Sequence, residues 1–192
     1  ALGMTMNLTT LARNLKMDVN VVMDKFLNVS DKLAIYSVPK LGKEFARLTA
    51  IEKTTGMATE DLMTAMDKFT TFEGAAEATA GLRAALGLNI SSMEMMDKVM
   101  TEGPTAGFML LREKLDEAGV SFEDLNYGQK RFVANMLGTN VSALMKGFGG
   151  NTADLKNATE SANLTAADFN KNMKEQAGNV KDVATQAQRM AV

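Results

Sequence analysis

The chain has 192 residues, with 16 Met but no His, Cys or Trp. The missing His and Cys exclude imidazole bases, thiolate nucleophiles, zinc knuckles and disulfides. The 21 basic and 23 acidic residues give a net charge of −2, which disfavours a protein whose main partner is nucleic acid. Residues 1–59, 60–125 and 126–192 carry net charges of +3, −8 and +3, typical of solvated helix faces or of charge matching between copies.

Abundant Ala and Met with scarce aromatics and two Pro favour helix over sheet. We predict an all-α fold, an irregular series of helix-turn-helix hairpins followed by a long C-terminal helix of coiled-coil type. Three regions are expected: an N-terminal helical segment at 1–50, a helical-hairpin repeat region at 51–150 and an Ala/Asn/Gln-rich coiled-coil-like helix at 151–192. The start, Ala-Leu-Gly-Met, lacks a signal-peptide layout and fits a processed product or a piece of a longer protein.

One short frame recurs from the first region to the end of the second. Its first position holds Lys16, Gly56, Gly87, Gly119 and Gly138, and two residues later stand Asp18, Ala58, Asn89, Ser121 and Asn140. Gly just past a helix adopts the left-handed conformation that ends it, and a short polar side chain caps the next helix. We therefore predict helix-stop glycines at Gly56, Gly87, Gly119 and Gly138.

Apolar residues three and four apart mark the packing faces of the predicted helices, as in Phe108, Leu111 and Leu115. The methionines fit a hydrophobic core better than a promiscuous peptide groove, because they share this spacing. The methionines assigned to the core are Met23, Met63, Met66, Met93, Met96, Met136 and Met145.

Two pairs of adjacent acids, Glu60-Asp61 and Glu123-Asp124, are candidates for acid/base chemistry. Both pairs occupy the same place in the frame, the first turn of a helix, where the helix dipole favours negative charge. There the hydroxyl of Ser121 is expected to pair with Asp124 as a capping box. We predict no catalytic, cofactor-binding or metal-ligating residue, and we interpret the loop 147–150 as a hinge rather than a phosphate cradle.

Residues after Asn151 change to a spacing of four and three, the period of a left-handed coiled coil. The predicted self-association seam consists of Met173, Ala177, Val180, Ala184, Ala187 and Ala191. A solvent-exposed tail helix is the alternative, because the seam is short and weakly apolar.

A further alternative is a small helix-turn-helix regulator that binds nucleic acid, because Ala12-x-x-Leu15 and Ala134-x-x-Leu137-Gly138 each precede a second helix. A recognition helix needs exposed polar side chains aimed at bases and phosphates. Residues 19–26 and 141–148 are mainly apolar, which weakens this interpretation.

Residues 50–150 resemble tail tape measure proteins of tailed bacteriophages. The resemblance rests on the stretches 69–78, 81–87, 93–96 and 108–119, and on the motifs Phe122-Glu123-Asp124-Leu125, Gln129-Lys130-Arg131 and Met136-Leu137-Gly138. It implies a structural virion protein that lies in the tail lumen after assembly in the host cytoplasm, sets tail length and leaves before the genome.

The implied partners are copies of itself as a trimer or higher, the tail tube, baseplate or tail-tip hub proteins and tail assembly chaperones, without specific nucleic acid. The muralytic and peptidase modules of that family have no counterpart here. Neither does a membrane span, since no apolar run approaches the ~18 residues that one needs.

Overall fold

The fold was analysed in a computed structural model, which describes residues 9, 11–13, 16–33, 36 and 41–162. Within these residues the protein is all-α and contains no strand. The helices are α1 (Val19–Leu33), α2 (Leu41–Thr55), α3 (Thr59–Asp67), α4 (Phe72–Leu86), α5 (Ser92–Glu102), α6 (Pro104–Glu117), α7 (Tyr127–Met136) and α8 (Val141–Phe148). A 3-10 turn at Phe122–Asp124 precedes α7, and residues 152–162 are helical.

The buried side chains form one hydrophobic cluster that runs from Leu11 to Ala162. The predicted stripe of α6 lies inside it, since Phe108, Leu111 and Leu115 are all buried. The rings of Phe108 and Phe148 pack 5.1 Å apart between centroids and join α6 to α8. Helical spacing of apolar residues thus positions the core, as the sequence indicates.

The predicted boundary between the first two regions falls at residues 50 and 51, inside α2. Side chains on both sides of it, Ala50 and Ile51, belong to the common core. The division into three regions stays a prediction. The predicted seam from Met173 to Ala191 lies outside the described residues.

The methionines divide between core and surface. Met63 and Met66 are fully buried, and Met23, Met96, Met136 and Met145 are half-buried against the same cluster. Met93 is 56% exposed, so its assignment to the core was wrong, and Met95 is the buried methionine at this point of α5. The prediction failed because α5 begins later than the frame predicts, and the first residue of a helix determines which of its side chains face the core.

The predicted N-cap at Asn89 is also wrong. Asn89 lies in the connection before α5, whose first residue is Ser92. The cap is Ser91, whose hydroxyl accepts a hydrogen bond from the Glu94 N–H at 3.4 Å. The extended connection after Gly87 buries Leu88 and Ile90, and this delays the helix by two residues.

The other predicted capping positions directly precede helical residues. The Asp18 carboxylate accepts from the Asn20 N–H at 2.8 Å, and the Asn140 side chain accepts from the Ala143 N–H at 2.8 Å. Ala58 precedes α3 without a side-chain bond. Such bonds satisfy amides that lack a partner in the first turn.

The capping box expected at Ser121 and Asp124 is wrong. Ser121 makes no side-chain capping bond, and its carbonyl accepts from the Asp124 N–H at 3.2 Å, which is the bond of a 3-10 turn. The capping box lies one turn later, where Asn126 and Gln129 exchange side-chain to backbone bonds of 3.0 and 3.1 Å. The acids Glu123 and Asp124 therefore belong to a single 3-10 turn.

Candidate functional site

The five frame positions share one backbone conformation. Each has a positive φ: Lys16 (52°), Gly56 (76°), Gly87 (70°), Gly119 (65°) and Gly138 (69°). A positive φ is sterically unfavourable for Lys16, because it has a Cβ atom, but not for glycine. A recurring left-handed residue therefore redirects the chain between successive helices.

The hydrogen bonds divide these joints into two kinds. At three of them the following N–H bonds a carbonyl five residues back: Met17 to Ala12 (2.8 Å), Val120 to Leu115 (2.9 Å) and Thr139 to Ala134 (2.9 Å). This is the Schellman arrangement. At Gly56 and Gly87 the glycine N–H bonds a carbonyl four residues back, at 2.7 and 2.9 Å. Both arrangements satisfy carbonyls left free at a helix end.

Arg112 is a buried cation beside a cleft, and its guanidinium is fully hydrogen-bonded. It lies on α6 with 3% of its surface exposed. Its guanidinium donates to the carbonyls of Gly147, Gly149 and Gly150 and to the hydroxyl of Thr152, and the bonds other than that to Gly147 are 2.9–3.3 Å long. These bonds use all five N–H groups of the side chain. Burial lowers the pKa of Arg112, and the negative charge of Asp116 opposes that shift.

This geometry decides between the two interpretations of the glycine loop. The first half of the expected loop 147–150 is helical, because α8 ends at Phe148. The carbonyl oxygens of Gly147, Gly149 and Gly150 accept from Arg112, whereas a phosphate needs N–H groups pointing at it. Because Arg112 has no N–H left, it cannot clamp an anion either. The loop is a backbone connection fixed by a buried cation.

Two neighbouring clefts of 390 and 320 Å³ open beside this loop. They share the lining residues Arg112, Glu123, Gly149, Gly150 and Asn151. Of the two acidic pairs, Glu123-Asp124 places one carboxylate at these clefts, and Glu60-Asp61 lies in the first turn of α3. No group of three or more acidic residues arranged to hold a metal ion occurs in the described ranges.

Glu44 is a second buried charged residue. It lies on α2 and contacts the start of α6. Its side chain is 1% exposed and accepts from the Thr105 N–H at 2.7 Å and from Arg47 at 3.4 Å. Gly103 has a φ of 100°, which strains any side chain, and a Cβ there would meet this carboxyl group at 2.8 Å and displace it. Burial raises the pKa of Glu44, while Arg47 and the hydrogen bond with Thr105 act in the opposite direction.

The polar groups around Glu44 are incompletely paired. The Thr105 hydroxyl and Arg47 Nε are buried without a hydrogen-bond partner in the described part of the chain. Because Thr105 lies in the first turn of α6, the Glu44 carboxylate also faces the positive end of the helix dipole. The arrangement anchors α2 to α6.

Sequence reasoning missed both buried charges, although their spacing carries a signal. Arg112 follows Phe108 by four residues and precedes Leu115 by three, so it lies on the apolar face of α6. Glu44 precedes Leu48 by four residues on the apolar face of α2. A charged residue within an apolar stripe is buried only with a partner, which is the feature to search for.

The sequence Ala134-x-x-Leu137-Gly138 covers the end of α7 and the turn that precedes α8. The second helix, α8, buries Ala143, Leu144, Gly147 and Phe148. Its exposed polar side chains are Ser142 and Lys146. This surface offers few groups for reading bases, so the geometry does not favour nucleic-acid recognition.

Comparison of the chain with known protein families, with curated proteins and with solved structures gave no match. Among the described residues no helix combines the length and apolarity needed to cross a membrane.

Proposed function

We propose that the chain is a structural, self-associating segment of a phage tail tape measure protein. The observation that carries the proposal is the recurring joint, in which five positions with the same left-handed backbone connect short helices through one core. The two buried charges serve this architecture, because Arg112 and Glu44 hold backbone groups of the chain itself. The resemblance of residues 50–150 to the tape measure family supplies the biological setting.

The finer architecture belongs to the same proposal. The hairpin series continues into a long helix of coiled-coil type, whose seam from Met173 to Ala191 pairs with other copies. Residues 152–162 support this, since they are helical and precede the seam in the sequence. Small seam residues permit a close approach of the partner helices.

Apolar side chains on the surface are compatible with contacts to copies or to a tube wall. Leu27, Phe72 and Tyr127 are 61%, 64% and 71% exposed. Single exposed apolar residues are common, so these side chains support the proposal only together with the seam.

Light scattering of the purified chain tests the seam. We expect a trimer or larger assembly, and a monomer after Val180→Glu with Ala184→Glu, because buried like charges oppose association. The matched control is Asn179→Glu with Gln186→Glu, which adds the same charge outside the seam. Equal assembly of both double variants would refute the seam.

Virions test the biological setting. Cross-linking of purified particles should yield homo-oligomers of the full-length protein and contacts with the tail tube. An in-frame deletion of residues 41–162 should shorten the tail, by at most ~1.5 Å per deleted residue. Tails of unchanged length, or the protein in host cytosol only, would contradict the proposal.

A further inference from the structure

Residues 152–162 form a short helix, here called the C-terminal arm, that lies against the rest of the fold. Its buried side chains are Leu155, Thr159 and Ala162, which are 1%, 5% and 3% exposed. Their spacing of four and three places them on one helical face. Leu155 and Ala162 are the apolar members of the core cluster in the arm, so its apolar packing rests on one large side chain.

Most of the hydrogen bonds that attach the arm are made by the connection that leads into it. Arg112 binds the carbonyl of Gly147 in α8, the carbonyls of Gly149 and Gly150 in the connection, and the hydroxyl of Thr152, which is the first residue of the arm. The Asn151 side chain accepts from the Ala153 N–H at 2.7 Å, which caps the arm helix. One side chain of α6 thus fixes both the path of the connection and the starting point of the arm.

The next residue of α6 contacts the arm on its outer side. Glu113 pairs with Lys156 at 2.9 Å, and both side chains are 48% exposed. An exposed pair of this kind contributes little to stability. The buried bonds of Arg112 therefore dominate the polar attachment of the arm.

Arg112 differs from an ordinary buried cation. None of the ion pairs formed by the described residues includes it, so its direct partners are carbonyl and hydroxyl oxygens, and Asp116 acts on its charge without a salt bridge. When the connection moves away, the acceptors of Gly149, Gly150 and Thr152 separate from the guanidinium together, because they lie within four consecutive residues, 149–152, whereas Gly147 stays in α8. Such a set of bonds is made or lost as a unit.

We propose that Arg112 is a latch that holds the C-terminal arm on the helical body, defined as α2 to α8, and that the arm opens independently of this body. The inference concerns the single chain, so it stands or falls independently of self-association.

Hydrogen exchange of the full chain, followed by mass spectrometry, tests the latch. In Arg112→Met we expect amides 155–162 to exchange about 100-fold faster, because several hydrogen bonds to a charged group are lost together. Amides of α3 and α4 should keep their wild-type rates. Lys114→Met, on the same helix, is the matched control and should leave the arm unchanged.

A second variant guards against failure of Arg112→Met to fold. Thr152→Val removes two of the five bonds from the arm side and should speed exchange of residues 155–162 about tenfold. Equal acceleration of arm and body in this variant, or no acceleration of the arm, would overturn the latch. So would wild-type exchange of the arm in a folded Arg112→Met.

Discussion

Replacing Glu44 by Gln tests whether burial dominates the electrostatics at the start of α6. The amide oxygen of Gln can still accept from the Thr105 N–H, whereas the buried negative charge disappears. Comparison of the two proteins therefore isolates the charge.

The sign follows from the direction of the pKa shift. Burial raises the pKa of Glu44 above 4.5 in the folded protein, so the folded state binds the proton more tightly than the unfolded state. Stability from this proton is present below the unfolded pKa and is lost as pH rises through the folded pKa.

The chain has no Trp, so urea unfolding is best followed by circular dichroism at 222 nm. Between pH 4 and 7.5 we expect the wild-type protein to lose free energy of unfolding relative to Glu44→Gln, whose side chain does not titrate. At pH 7 the variant should be as stable as the wild type or more stable, by up to about 3 kcal/mol.

Glu44→Ala provides the contrast, since it leaves the buried Thr105 N–H without its acceptor. We expect Glu44→Ala to be less stable than Glu44→Gln by about 1–3 kcal/mol. A pH-independent difference between wild type and Glu44→Gln, or a difference of opposite sign, would refute the dominance of burial.

Three further predictions concern thermal or urea unfolding. Gly87→Ala should lower the free energy of unfolding by about 1–2 kcal/mol because φ is 70°, although open space surrounds the site, and Lys16→Gly should raise it by up to about 1 kcal/mol. If Gly87→Ala costs nothing, the left-handed joint is not required. Phe108→Ala should cost about 3–5 kcal/mol, whereas Phe72→Ala, which removes a side chain that is 64% exposed, should cost under about 0.5 kcal/mol in the monomer. Equal losses would contradict the packing described for α6. Asn126→Ala should cost about 1 kcal/mol through loss of the capping box, and a matching loss in Ser121→Ala would contradict its placement.

Local chemistry explains what could be predicted before the structure. The all-α class follows from composition and from apolar spacing, both of which act within a few turns of helix. The left-handed joints at Gly56, Gly87, Gly119 and Gly138 are similarly local, because a helix end and its glycine are neighbours in the chain. Lys16, which occupies the same position of the recurring frame, also has a positive φ although it is not a glycine.

The start of α5 shows where local rules fail. Asn89 is a good capping residue, yet Ser91 caps the helix because burial of Leu88 and Ile90 keeps the intervening chain extended. The same displacement exposes Met93. Competition between a local cap and distant apolar contacts is invisible in a single stretch of sequence.

The sequence by itself determined the helical class and the places where the chain turns, because both depend on residues close together along it. Only the tertiary structure decided what the two buried charges do. Glu44 meets an amide 61 residues later, and Arg112 meets carbonyls 35–38 residues later. A buried charge requires partners from elsewhere in the fold, and folding alone brings those partners within hydrogen-bond distance.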